Sequence, residues 1–248
     1  MLFRLIFLFL FVFFNHSVIA SEDQAQPLQK SWSFNGPFGK FDRNSIGRGY
    51  IVYKEVCSSC HSLKRIAFRN LREIGMSEQI IKAIAASYDY EDTYDDAGDL
   101  ISRKGEIQDY FPSPYANDKM AAAANNGAIP PDLSLIIKAR KDGANYVYSL
   151  LTGYQGVEAN DEGLYNNIYF PGGALAMAPP LVDGLIEYPD GTINSIENMS
   201  HDVVNFLQWT AEPEMESRKK LGLKVMIFLL FLLVLIWRLN KKIWENVK

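Results

Sequence analysis

Two apolar runs bracket the chain, and the sequence between them is mixed. Leu5–Phe14 holds ten apolar residues in a row, with Arg4 before it and Val18-Ile19-Ala20 after it. A basic start, a short apolar core and small residues ahead of a cleavage point predict a secretory signal peptide at residues 1–20. The run is short for a membrane span, which takes about 20 residues. The second run, Leu221–Leu239, is nineteen residues long and carries Lys224 and Arg238 near its two ends. At ~1.5 Å per residue it covers roughly 28 Å, close to the hydrocarbon thickness of a bilayer, so 221–239 is predicted to be a transmembrane anchor. Arg238, Lys241, Lys242 and Lys248 fit a cytoplasmic tail at 240–248. Arg218, Lys219 and Lys220 lie on the other side, so charge alone does not orient the span. Export of the intervening domain, 21–220, does.

Between the runs the apolar spacing is mostly helical. Asn44 or Ser45 can cap a helix reaching about Val56, in which Gly49, Tyr53 and Val56 share one face. A glycine on that face admits another helix closely. His201–Thr210 is a helix with Val203, Val204, Phe206, Leu207 and Trp209, and Phe206 or Trp209 is the candidate to rest on Gly49. Ser77–Ser87 reads as a helix with Ile80, Ile81 and Ile84 inward. Leu133–Arg140 and Ala144–Thr152 read as helices broken by Gly143. Trp32–Asp42 is an irregular aromatic segment, Tyr110–Tyr115 and Gly153–Gly173 are loops, and Asn125–Asp132 is a loop ending at a helix start. Leu185–Thr192 suggests a short hairpin around Pro189-Asp190-Gly191. The fold class is therefore mostly α, with long loops and one C-terminal transmembrane helix.

Charge divides the chain further. Ser21–Lys220 carries 19 basic and 28 acidic residues, while the last 28 residues carry five basic and one acidic. An acidic exposed domain with a basic membrane-flanking tail follows, and nothing points to nucleic-acid binding. Asp89–Asp99 holds six carboxylates and no cation. Such a run reads as a solvated loop; its functional alternative is a docking patch for a basic partner.

The chemistry concentrates in Cys57-Ser58-Ser59-Cys60-His61, which contains both cysteines and one of three histidines. Cys-x-x-Cys-His is the attachment signal for c-type haem: two thioethers to the porphyrin, then a proximal histidine on iron. A thioredoxin-like dithiol would open a helix after a strand, whereas this motif closes a helical pattern. A structural zinc site needs four ligands, and the remaining candidate, His201, is far away in sequence. The domain thus reads as cytochrome c-like, with one covalent haem c and no cysteine left for a disulfide. A six-coordinate haem needs a second axial ligand, and methionine raises the potential. Met177, in a loop stiffened by Gly172, Gly173, Pro179 and Pro180, is preferred; Met76, Met120 and Met199 remain alternatives.

Several blocks then fall in order: Arg48-Gly49-Tyr50, Phe68-Arg69-Asn70-Leu71, Asp109-Tyr110-Phe111-Pro112, Ala124-Asn125-Asn126-Gly127-Ala128-Ile129-Pro130-Pro131-Asp132, Tyr148-Ser149-Leu150-Leu151-Thr152-Gly153-Tyr154, Ala176-Met177-Ala178-Pro179-Pro180 and Ala211-Glu212-Pro213-Glu214. With the haem motif and the tail anchor, this set resembles the cytochrome c1 family, the haem subunit of ubiquinol–cytochrome c reductase. The resemblance implies Met177 as the sixth ligand and Arg140 near a haem propionate. It also implies that Asn125, Pro130, Pro131 and Tyr146 line the pocket. It further implies single-electron transfer from a Rieske iron–sulfur protein to cytochrome c, beside cytochrome b in the bacterial inner membrane, with the haem domain periplasmic. The chain breaks no substrate bond itself. Another membrane-anchored periplasmic cytochrome c, or a haem enzyme with an open distal site, is the alternative.

Overall fold

The computed structural model describes residues 25–245, so the predicted signal peptide at 1–20 lies outside the described residues. Helix α1 spans Arg43–Glu55 and is capped by Asp42, whose side chain accepts from the amides of Asn44 and Ser45. The cap thus sits before Asn44 and Ser45, because an Asp at that position satisfies two first-turn N–H groups at once. The inward face of α1 is Ser45, Ile46, Gly49, Tyr50, Val52 and Tyr53. It lies on α5, Ile196–Ala211, which is buried at nearly every position from Met199 to Thr210. That helix starts five residues earlier than the apolar spacing suggests, where Ser195 accepts from the Asn198 amide.

At the α1–α5 crossing, a Cβ built on Gly49 would fall 2.0 Å from the Asp202 carbonyl oxygen and 2.8 Å from Phe206 Cβ. Phe206 is therefore the residue that rests on Gly49, as its spacing predicts. A charge pair seals the same contact. Asp202 accepts from Arg48 Nε at 2.7 Å, Arg48 Nη2 at 3.1 Å and Ser45 Oγ at 2.6 Å. Arg48 also reaches Asp190 at 3.0 Å. Burial pushes the Asp202 carboxyl up, but hydrogen bonds from His201, Arg48 and Ser45 outweigh it and leave it below the usual carboxylate range. A carboxyl depressed on folding stabilises the fold fully above its unfolded value of about 3.9, and that stability fades as pH falls through the lower folded value. Asp202→Ala is expected to cost about 2 kcal/mol, below the usual range for a broken buried pair because Arg48 keeps Asp190 and some solvent. Urea unfolding at neutral pH and near pH 3 checks both statements: the gap between variant and parent should narrow in acid.

Segment 25–41 straps the head. Trp32 Nε1 donates to Asn145 Oδ1 at 2.7 Å, on α4, Gly143–Thr152, while the Trp32 ring stacks on Phe34 and His201. His201, in the second turn of α5, is half-buried against Trp32. An aromatic cluster of Tyr50, Tyr53, Phe68, Tyr88, Phe111, Phe206 and Trp209 joins α1, α5 and the 68–74 turn of 3₁₀-helix.

Four expectations are corrected. In α2, Glu78–Ala85, Ile81 is buried and Ile84 half-buried, but Ile80 is 53% exposed, since it falls one position off the buried stripe. Asp89–Asp99 is a loop only over its last five residues, Asp95–Asp99, which form a turn. Asp89–Tyr94 (β1) pairs antiparallel with Leu100–Lys104 (β2), and Lys104–Asp89 and Arg103–Asp92 ion pairs across the ladder make the acidic strand tolerable. Residues 133–140 form turns rather than a helix: the Asp132 side chain takes the Ser134 amide, and Asp142 in the left-handed region ends the run. Leu185–Thr192 keeps its turn at Pro189-Asp190 but forms no ladder. The remaining elements are α3, Asp118–Ala124, and the short pair β3, Tyr165–Asn166, with β4, Ala174–Leu175.

Helix α6, Met215–Trp244, is long and apolar enough to cross a membrane, and none of its apolar window is buried. Its first turns are bolted to the head. Glu216 accepts from the Phe41 amide at 2.8 Å and from Arg43 at 3.0 Å, and Lys219 Nζ donates to the Phe34 carbonyl at 2.7 Å.

Candidate haem-attachment site

Helix α1 delivers the motif. After Glu55 the backbone tightens into a 3₁₀ turn at Cys57–Ser59, and the Cys57 carbonyl accepts from both Cys60 N at 3.2 Å and His61 N at 2.8 Å. Both sulfurs and the imidazole therefore leave one tight turn. No disulfide joins the two cysteines. Burial, with Cys60 alongside, pushes the Cys57 thiol up to about 12. A redox dithiol needs the opposite, a lowered thiol in an electropositive setting, so the thioredoxin reading fails on the environment as well as the spacing. Among the described residues no group of three or more Cys, His, Asp and Glu gathers as a metal site.

His61 Nδ1 lies 2.8 Å from the Pro131 carbonyl oxygen. A carbonyl only accepts, so Nδ1 carries the proton and Nε2 presents its lone pair. That tautomer is the one a metal-bound histidine needs, with the second ring nitrogen held by a backbone carbonyl. Burial also lowers the His61 pKa, which favours the neutral ring.

The carbonyl is placed by Asp132. Its Oδ2 accepts from Ser62 Oγ and Lys64 N at 2.8 Å each, and its Oδ1 from Ser134 N at 3.0 Å. Leu133 N donates to Ser62 O at 2.9 Å. The chain after the motif and the chain after Pro131 are thus laced together. Burial pushes the Asp132 carboxyl up, but hydrogen bonds from Lys64, Ser134 and Ser62 bring it below the ordinary range. Sequence reading placed Asp132 only at a helix start; the signal it missed is a carboxylate directly after Pro-Pro, with nothing helical to cap. Asp132→Ala is expected to remove about 2 kcal/mol of stability, since hydrogen bonds to a charged group contribute roughly 1.5–3. Thermal unfolding would check it, and an unchanged midpoint would refute it.

A cavity of about 840 Å³ opens beside the motif, lined by Cys60, Ser62, Tyr115, Ala121 and Pro130 among others. Tyr115 OH lies 3.8 Å from Cys60 Sγ, and Asn125 Nδ2 donates to Tyr115 OH at 3.1 Å. Cys60, His61, Asn125, Pro130 and Pro131 are therefore brought together. A cavity at the second thiol and an oriented imidazole beside it fit a covalently held haem.

Across residues 32–247 the chain matches the Cytochrome C1 family. The chain belongs to the cytochrome c1 family. Cytochrome c1 of Rhodospirillum rubrum is 47% identical, over 92% of this chain and 91% of the relative. A Candida albicans protein named cytochrome b-c1 complex catalytic subunit, mitochondrial, is 47% identical, over 94% of this chain and 82% of its own. The protein named cytochrome b/c1 of Bradyrhizobium diazoefficiens is 46% identical over 92% of this chain, which covers 37% of that longer relative. Members of this family are electron-transport proteins with covalently bound haem c, and this chain carries haem c likewise.

The other predicted residues stand on separate segments. Met177 is half-buried just after β4, and its carbonyl accepts from Tyr154 OH at 3.0 Å. Of its rivals, Met199 is wholly buried in the core, Met76 packs against it and Met120 is 53% exposed on α3. Arg140 is exposed and donates only to the neighbouring Ala139 carbonyl at 3.1 Å, leaving most of its guanidinium for another anion. Tyr146 is buried; desolvation raises its phenol and the Arg140 charge opposes that rise, so the two act on one region.

Proposed function

We propose that this chain is the haem-bearing subunit of a ubiquinol–cytochrome c reductase. It takes single electrons from a Rieske iron–sulfur protein and passes them to cytochrome c, beside cytochrome b in a bacterial inner membrane. The haem domain would stand on the periplasmic side, held by the span at 221–239, with the tail at 240–248 cytoplasmic. The observation that carries the reading is the 2.8 Å bond from His61 to Pro131, which turns Nε2 into a ligand-ready donor. The names of the b/c1 and b-c1 relatives support the assembly.

The haem supplies reversible one-electron chemistry at iron. Cys57 and Cys60 would hold it covalently, and His61 and Met177 would ligate its iron. Asn125, Pro130 and Pro131 would line one wall. Arg140 would hold a propionate by charge-assisted hydrogen bonds, with Tyr146 beside it. The chain is then not an enzyme alone but the electron-transfer part of an oxidoreductase.

A reduced-minus-oxidised spectrum of the tagged protein, purified from its own membranes in mild detergent, tests this. A c-type band with b-type bands in fixed ratio through further purification is expected. A c-type band whose b-type companions are absent even after gentler extraction would reject the assembly.

A further inference from the structure

The loop that presents Met177 is unusually poor in backbone bonds of its own. The β3–β4 ladder ends at Leu175, and Pro179 and Pro180 follow without an N–H to give. The start of the loop is well fixed. Asn167 is fully buried; its amide donates to the Gly173 carbonyl at 2.8 Å, its side chain to the Leu150 carbonyl at 2.8 Å, and its Oδ1 accepts from Tyr169 N. At Met177 itself the hold is one side chain, Tyr154 OH donating to the Met177 carbonyl at 3.0 Å.

Tyr154 is well suited to that task. It follows the C-terminus of α4 by way of Gly153, and bridges to Asn167, while Gln155 N donates to the Asn166 carbonyl at 3.0 Å. Its main chain is thus part of the scaffold and its hydroxyl reaches across to the loop.

We infer that Tyr154 is a positioning residue for the axial methionine: its hydroxyl sets the depth and angle at which Met177 is offered to the iron. This rests on Met177 being the sixth ligand. Tyr154 touches the Met177 backbone, so its action is through the ligand.

Tyr154→Phe in the detergent-purified complex tests it, with carbon monoxide binding to the reduced haem and the midpoint potential as readouts. Met177→Leu marks the fully open limit, and Tyr90→Phe, which removes a phenol–carbonyl bond to Tyr110 elsewhere, reports general loosening. One neutral hydrogen bond corresponds to roughly a 3- to 10-fold change in an equilibrium. Tyr154→Phe is therefore expected to raise the rate of carbon monoxide binding by about that factor and to lower the potential, with Tyr90→Phe unchanged in both. Tyr154→Phe matching the parent while Met177→Leu opens the haem overturns the inference. Equal effects from Tyr154→Phe and Tyr90→Phe overturn it too, as mere loosening. If Met177→Leu itself leaves the haem closed, the ligand reading fails instead.

Discussion

Gly49→Ala is expected to destabilise the head by about 3 kcal/mol or more, whereas Gly47→Ala, two residues away on the same helix, is expected to leave it intact or firmer. The two differ only in what a methyl group meets. At Gly49 it would lie 2.0 Å from the Asp202 carbonyl oxygen and 2.6 Å from the carbonyl carbon. Carbon contacts settle near 3.5–4.0 Å, so α1 and α5 would have to part by about 1.5 Å. Backbone cannot rotate aside as a side chain does. Parting would also stretch the Ser45 and Arg48 bonds to Asp202, at 2.6 Å and 2.7 Å. The expected cost is the upper end of overpacking, about 3 kcal/mol or more, against a total stability of roughly 5–15. At Gly47 nothing lies within 4 Å, and an alanine in mid-helix gains about 0.5–1 kcal/mol. Urea midpoints of the purified proteins decide the matter, with haem-stained yield where Gly49→Ala is too unstable to purify. A Gly49→Ala protein as stable as its parent would mean that the helices do not cross here.

This opposition was half legible beforehand. A glycine at the right helical spacing, ahead of a haem motif, announces a close approach, and Phe206 was one of two partners it suggested. The Arg48–Asp202 clamp was not legible, because it joins residues 154 apart. The same divide runs through the attachment site. Cys57, Cys60 and His61 stand in a local motif, so periodicity and spacing suffice. The Pro131 carbonyl and the Asp132 lacing come from a loop 70 residues on, and no local pattern marks a backbone oxygen as a histidine partner. The acidic strand misled for a related reason. Carboxylates in a row argue for solvent, and only the cross-strand cations at Arg103 and Lys104 make a hairpin of them. Leu133, Ile136 and Ile137 are buried at helical spacing, yet the chain there meets that demand with successive turns. Spacing reported which side chains go inward and left open the backbone that carries them. Tyr154 carries no local signal of its role, since its bond goes to a main-chain atom 23 residues on.

Replacing both cysteines, Cys57→Ser with Cys60→Ser, is expected to abolish haem staining of the denatured chain completely. Thioethers survive denaturation, while noncovalent contacts between the chain and the haem do not. His61 keeps its bond to Pro131 in that variant, so some haem bound without thioethers is compatible with the native protein and only the denaturing gel isolates attachment. The single variants should each retain one thioether and a stained band, but they should differ in stability. Cys57 packs against the apolar core, whereas Cys60 lines the cavity beside Tyr115 and Pro130. A hydroxyl at 57 therefore loses water without a partner, at about 1–3 kcal/mol, and one at 60 has polar company. Urea midpoints are expected to fall further for Cys57→Ser than for Cys60→Ser. A stained band from the double variant would place the attachment elsewhere. Equal midpoints for the single variants would mean that the Cys57 thiol is not held in the core, and the turn after α1 would then not seat the two sulfurs differently.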